Sequence, residues 1–561
     1  MRGTVCGIVC CWVVASACQA QTLGRPTRAE EPAVPGTVVG KSLPANPSST
    51  PQISATQQTD FAEIGPVQPT TPKTGELPKI PVVPNPNLGL VPSAPIVPPL
   101  PVPTTQNGMA GTLPTPVETP IDQGEKAKAD DFTPKFKFKP GDEHLLQMET
   151  ANGLFKFFVG GRLQIDGAWM RTNDAVQAPR EKGGIGKADD AANFRRARFD
   201  FGGTFYKNID FLMEFDFINT VNAERSGAPL PVNTPVPTDL WVTFKDIPFA
   251  GNIRVGNMKP PISFEHLTSS RFLNFMERSL AFDAFIENQN NGFEPGIMAF
   301  DTAMEERATW ALGVFKNTRS IFGWNVGDGE YDVTARVTAL PIYENDGEFL
   351  VHVGIAASHR DLDDDQERMR ARLMVRDGPA ILHNIVAEAR LLGDSRDTVA
   401  PEFVVVWGPW TFQSEYYRAW VNNAAAPVDS KTPRNYGTLQ FQGGYAEILY
   451  FLTGEHRHYD KKRAAFGRVT PNQNYRGFGM SEEETESGIG AWQIGARYSF
   501  LDLDNKGFRG STCQDITVGL NWFLNPYMKW QFNYTQLFRD APDSKNSGWV
   551  SGLGTRLAFD F

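Results

Sequence analysis

The sequence predicts an all-β chain: a transmembrane antiparallel β-barrel of about 16 strands, preceded by a Pro-rich disordered segment. Three observations predict it. Many segments of about ten residues alternate apolar and polar side chains, and their apolar parity is rich in Phe, Trp and Tyr toward the segment ends. The connections between them alternate between short and long, and the N-terminus carries the layout of an export signal.

Composition narrows the field first. At 561 residues the chain can hold several ordinary domains or one very large barrel. Its 54 Lys and Arg stand against 64 Asp and Glu, a balance that gives no support to nucleic-acid binding. Beyond the N-terminus no apolar run reaches the roughly 18 to 20 residues that a membrane helix requires.

The opening MRGTVCGIVCCWVVASACQAQT has a basic Arg2, an apolar stretch and small residues toward Ala20, so residues 1–20 read as a signal peptide. Four of the five cysteines, Cys6, Cys10, Cys11 and Cys18, lie within it, and cleavage after Ala20 leaves Cys513 alone, without an internal disulfide. A second reading takes Ala15-Ser16-Ala17-Cys18 as a lipoprotein site with Cys18 lipidated. Residues 21–140 hold 24 of the 42 prolines. Such a stretch buries too little apolar surface to offset its ordering entropy and favours polyproline II. It reads as a low-complexity periplasmic spacer, either passive or in contact with a periplasmic or wall partner.

Residues 141–561 form the barrel domain. LFKFFVGGRLQIDGAWM places Phe155, Phe157, Val159, Leu163, Ile165 and Trp169 on one face, with Lys156, Arg162, Gln164 and Asp166 on the other. IDFLMEFDF alternates in the same way, and further segments follow near 238–246, 330–341, 348–358, 410–420, 490–501, 513–524, 528–539 and 551–561. Short connections such as Tyr206 to Ile209 alternate with long polar ones at 171–192, 219–237, 259–293 and 454–489. A soluble sandwich shows the same parity in a single strand, but closing about 16 strands removes every exposed edge. The last strand, GLGTRLAFDF, is expected to pair with the one that begins near Gly153, and its terminal aromatic fits recognition for outer-membrane assembly.

Parity also sorts the charges. With Phe199 and Phe201 facing lipid, Arg196 and Arg198 face the lumen, as do Lys156, Arg162, Arg336 and Arg497; Arg195 shares the Phe parity. Arg suits an oxyanion because its planar donor fork pairs two oxygens and stays charged. Against this, Asp210, Glu214 and Asp216 share a polar face, and acidic rings favour cations. LDDDQER at 362–368 reads as an exposed loop, and His456 and His458 lack further ligands at metal-binding spacing. No nucleophile motif, phosphate loop or catalytic acid pair stands in a supporting context, so neither catalysis nor a cofactor is expected.

GGRLQIDGAWM, NFRRARFDFGGTFYKNIDFLMEFDF, and DLWVTF followed by IRVGNMKPPISFEHLTSSRFLNFMERSLAFDAF resemble the phosphate-selective porin O and P family, from about Gly153 to Phe561. The resemblance implies a homotrimer of 16-stranded outer-membrane barrels embedded in lipid, each passing anions such as phosphate or polyphosphate through a pore lined by Arg and Lys. It implies that a loop at about 259–293 folds inward as a constriction, with Ser269, Ser270 and Arg278 contributing to it and Arg195 and Arg196 on the adjoining wall. Where a basic side chain is expected three positions before Ser269, this chain has His266, an imidazole largely neutral at pH 7. Three functions stand at this point. They are an anion-preferring diffusion pore, a weakly selective or cation-preferring pore, and a structural barrel that anchors the Pro-rich arm.

Overall fold

The computed structural model describes residues 133–138, 144–218, 235–287, 292–318, 322–327, 329–376, 384–427, 434–475 and 488–561. The chain divides into Met1–Thr115 and Pro116–Phe561, and every described residue belongs to the second unit. The signal peptide and nearly all of the 21–140 spacer lie outside the described residues.

Two short strands come first, β1 (Pro134–Phe138) and β2 (Leu146–Thr150), followed by β3 (Phe155–Thr172), β4 (Ala191–Phe205), β5 (Ile209–Asp216), β6 (Val236–Ile247) and β7 (Gly251–Met258). After the loop come β8 (Glu294–Ala303), β9 (Ala308–Lys316), β10 (Tyr331–Glu344) and β11 (Phe349–Asp361). A hairpin of β12 (Gln366–Arg372) and β13 (Ile385–Leu392) precedes β14 (Ser395–Trp407), β15 (Trp410–Ala425) and β16 (Asn435–Phe451). Two-residue strands β17 (Tyr459–Asp460) and β18 (Ala465–Phe466) lie before β19 (Ala491–Asn505), β20 (Phe508–Asn525), β21 (Met528–Asp540) and β22 (Gly548–Asp560).

Sixteen of these strands, β3 to β11, β14 to β16 and β19 to β22, pair antiparallel with their neighbours, and β22 returns to β3. The closing register runs from Val550 opposite Thr172 to Asp560 opposite Arg162. A Cβ on Gly161 would stand 2.9 Å from the Arg198 carbonyl oxygen and 3.0 Å from the Phe561 ring, so glycine lets the seam close. Beyond the end of β22, β2 takes over the edge of β3, and β1 pairs with β2.

The period-two pattern became an outer apolar face. In β22, Leu553, Leu557 and Phe559 are 40–49% exposed while Arg556 between them is fully buried. Ile165, Trp169, Phe199, Phe201, Ile494, Ile516 and Val518 are likewise exposed on the outside. In lipid this face needs no protein cover, and the closed ladder leaves no unpaired backbone edge along the barrel.

Two features of the interior depart from the sequence reading. The described residues 452–475 and 488–490, in the connection from β16 to β19, are not at the long-loop end. Phe451 pairs with Gln493 beside the 408–409 and 526–527 turns, so this segment sits at the short-turn end, and there Tyr459, Ala464 and Phe466 fold inward onto Phe264, Leu340 and Val404. The second departure is the hairpin β12–β13. Met369, Ala371, Met374, Val375 and Val386 pack together with Leu439, Phe441, Leu501, Leu503, Leu537 and Val550 of the wall. The part of the lumen that the hairpin fills is therefore packed with apolar side chains, and a polar cavity lies against strands β3 to β10.

Candidate functional site

β7 ends at Met258, and Pro260 and Pro261 follow, which supply no ladder donors and turn the chain inward. The turn is held at Ser263, whose backbone has φ 73° and whose Oγ accepts the His266 N–H at 3.1 Å to open a one-turn helix, Phe264–Leu267. The Glu415 carboxylate on β15 accepts the backbone N–H groups of Phe264 at 2.9 Å and Glu265 at 2.8 Å. From β3, Arg162 Nη1 donates to Ser270 Oγ at 2.6 Å, and Gln164 Nε2 donates to the Ser270 carbonyl at 3.2 Å.

The far end of the loop is tied in the same way. Ser279 caps the helix Leu280–Phe285, and its N–H and Oγ–H both donate to the Glu265 carboxylate. Asp283 on that helix receives Arg372 at 2.6 Å and Arg370 at 3.0 Å from the β12–β13 hairpin, so an ionic clamp joins the two infolded segments.

The loop thus forms one side of a cavity of about 610 Å³ against strands β3 to β10. Eight arginines and three lysines line it against four aspartates and one glutamate, a clear excess of positive charge. Many wall cations are already neutralised: Arg162 pairs with Glu214, Arg198 with Glu214 and Asp216 at 2.9 Å each, and Arg271 with Asp200 at 2.6 Å.

Three are not. Arg278 donates to the carbonyls of Glu265 at 2.8 Å and Thr268 at 2.9 Å. Lys259 donates to the His266 carbonyl at 2.6 Å. Arg254 donates to Thr243 Oγ1 at 2.9 Å and lies 3.7 Å over the Trp241 ring. Among the described residues none of the three has a carboxylate within ion-pair distance. Burial, and then the Arg278 charge, push the Lys259 ammonium well below its ordinary range, with Asp239 acting in the opposite direction. Burial, then Lys259 and Arg278, hold the His266 imidazole well below its usual value, so it is neutral at pH 7.

The model of the family described as phosphate-selective porin O and P matches residues 164–561. The chain belongs to that family. Porin O of Pseudomonas aeruginosa is 25% identical over 447 residues, covering 74% of this chain and 91% of that protein. An uncharacterized protein of Caulobacter vibrioides is 27% identical over 422 residues, covering 72% and 74%. Among solved structures, the anion-selective porin from Comamonas acidovorans aligns with a TM-score of 0.41 at 10% identity, covering 72% of this chain and all of that one. As a member of the porin O and P family, the barrel is an outer-membrane channel protein.

Of the candidate pore residues that parity and the porin resemblance singled out, Arg196, Arg198, His266, Ser269, Ser270 and Arg278 all line this one cavity. Arg195 does not. A bulge between Gln164 and Ile165 of β3 leaves Arg195 without a partner in the ladder and turns it inward beside Arg196. There it donates to the two Glu277 oxygens at 2.8 and 2.9 Å, a buried pair rather than a free anion contact. Lys259, Arg254 and Arg271 also line the cavity and were not singled out. The alternation of Ile253, Arg254 and Val255 carried the signal for Arg254, and the other two lie inside the loop string itself.

Proposed function

We propose that this porin is a homotrimer whose barrels pass small oxyanions by diffusion, with phosphate as the preferred cargo. The observation that carries the reading is the set of three cations, Arg254, Lys259 and Arg278, that line one cavity with no carboxylate within ion-pair distance among the described residues. Cations held by neutral acceptors keep their field for a passing ion, which binds strongly enough to enter and weakly enough to leave. Ser269 and Ser270 add hydroxyls beside them, and polyphosphate is the natural extension of the same chemistry. The cation-preferring alternative rested on Asp210, Glu214 and Asp216, and each has a basic partner: Lys245 at 3.0 Å, Arg162 and Arg198, and Arg198. In this reading residues 1–20 direct export and residues 21–140 form a periplasmic spacer.

The test is single-channel recording in planar bilayers under a potassium chloride gradient, followed by phosphate titration of the chloride current. The expected result is an anion-directed reversal potential and current block by phosphate. A silent barrel would reject the pore, and a cation-directed potential would reject the anion.

A further inference from the structure

A second, smaller cavity of about 20 Å³ lies at the short-turn end, between the inward segment around Arg457 and Arg468, the constriction loop at Arg271 and Phe272, and the adjoining ends of β20 to β22. Five basic side chains line it, Arg162, Arg271, Arg457, Arg468 and Lys529, against one carboxylate, Asp560. Asp560 is taken by Arg468, while Arg162 and Arg271 are matched by Glu214 and Asp200.

Arg457 and Lys529 are different. Lys529 Nζ donates to the carbonyls of Leu273 at 2.9 Å and Arg271 at 3.4 Å, and Arg457 Nη2 donates to the Phe272 carbonyl at 2.8 Å. Neither has a carboxylate within ion-pair distance among the described residues. Arg457 is fully buried, with its guanidinium carbon 4.4 Å over the Phe466 ring, and its Nε and Nη1 hydrogens meet no protein acceptor. Buried polar hydrogens are ordinarily paired, and two buried cations without a counter-ion are strongly disfavoured.

We infer that this cavity holds one chloride-sized inorganic anion, which accepts from Arg457 and offsets one of the two positive charges that Arg457 and Lys529 place there. A volume of this order suits a single ion little larger than a water better than a tetrahedral oxyanion. The anion is structural: Arg457 and Lys529 both grip the carbonyls of residues 271–273, so their common counter-ion fastens the inward segment beneath the constriction loop. The inference does not depend on which ion the pore prefers.

The probe is bromide. Crystals of the full chain grown in sodium bromide are expected to show an anomalous peak within hydrogen-bonding reach of Arg457 Nη1 or Nε, and the peak should vanish in Arg457→Met. Lys529→Met, which leaves the guanidinium in place, should weaken the peak. Failure of the native crystals to show a peak, whether a water occupies the site or Arg457 has closed onto a carboxylate, would overturn the inference. The reversal potential of the pore is read in a separate experiment, so the two readings stand or fall apart.

Discussion

The Glu415 carboxylate accepts the backbone N–H of Glu265 at 2.8 Å, so a strand on one wall holds the turn from which Arg278 takes its position. The same carboxylate accepts Phe264 N–H at 2.9 Å and the hydroxyls of Tyr445 at 2.7 Å and Tyr417 at 3.1 Å. Two oxygens satisfying four donors is a task that an amide cannot repeat. Glu415→Gln puts an NH2 group where donors already point, at a cost of about 1–3 kcal/mol for the group left unsatisfied. The expected outcome is a folded barrel with a noisy, fluctuating conductance. A quiet trace at the native conductance would show that the loop is held by other bonds.

Arg278 carries the selectivity prediction. Its guanidinium is held by two backbone carbonyls, so substitution removes charge without stranding an acid within ion-pair distance. Arg278→Ala should lower the anion-to-cation permeability ratio roughly 5- to 30-fold, corresponding to about 1–2 kcal/mol at an effective dielectric between water and protein interior. Arg278→Lys should retain most of the preference, since a point charge remains. Reversal potentials measured side by side decide it, and equal ratios in wild type and Arg278→Ala would remove Arg278 from the pathway.

The apolar filling of the lumen gives a prediction of a different kind. Replacing residues 363–393 with a short Gly-Ser turn removes Met369, Met374, Val375 and Val386 from their packing against Leu439, Phe441, Leu501 and Leu503. Conductance should rise severalfold, in line with a wider lumen, and selectivity should fall. Asp283 would also lose Arg370 and Arg372. A conductance unchanged by the deletion would place the narrowest section elsewhere.

The same hairpin marks the boundary of what the sequence made legible. Period two reports which residues share a face, and lipid imposes an apolar face on every strand, so Leu553, Leu557 and Phe559 announced the outer surface directly. What covers the opposite face is a long-range matter. Leu501 and Leu503 extend the apolar residues to both parities of β19, and only the hairpin packed on them explains why. At the site, parity placed Arg196 and Arg198 in the lumen, but the bulge that brings Arg195 alongside them breaks the very alternation used to read it. Pairing was less legible still, because Glu214 and Asp216 reach their arginines through strand neighbours that a linear pattern does not reveal.

His266 supplies a pH prediction. Its native value lies well below the ordinary 6.5, first through burial and then through Lys259 and Arg278, so the unfolded chain takes up its proton more readily than the folded one. Its contribution to stability is therefore complete above about pH 6.5 and is lost as pH falls toward the native value. Thermal unfolding of wild type and His266→Gln in detergent, compared at pH 7.5 and pH 5, isolates this term. Wild type should lose more stability than the variant over that interval, while the reversal potential between pH 6 and 8 should not follow His266. Parallel losses in the two proteins would mean that the imidazole is accessible and protonates freely.

Glu277 is the acid on which the buried guanidinium groups converge. It receives Arg195 at 2.8 Å and Arg556 at 2.7 Å, with Arg376 at 3.5 Å and Arg196 at 3.9 Å. Arg556 has a second partner in Asp166 at 2.6 Å, but Arg195 depends on Glu277, with Glu287 a distant 3.9 Å away. Removing one member of a buried pair leaves an uncompensated charge and costs about 3–5 kcal/mol. Glu277→Ala should therefore lower the unfolding temperature far more than Arg195→Ala, which removes a cation from a site rich in them. The double variant should recover part of the loss, because the stranded guanidinium is gone. Additive losses in the double variant would show that Arg195 and Glu277 act independently and that the other arginines, not Arg195, make Glu277 necessary.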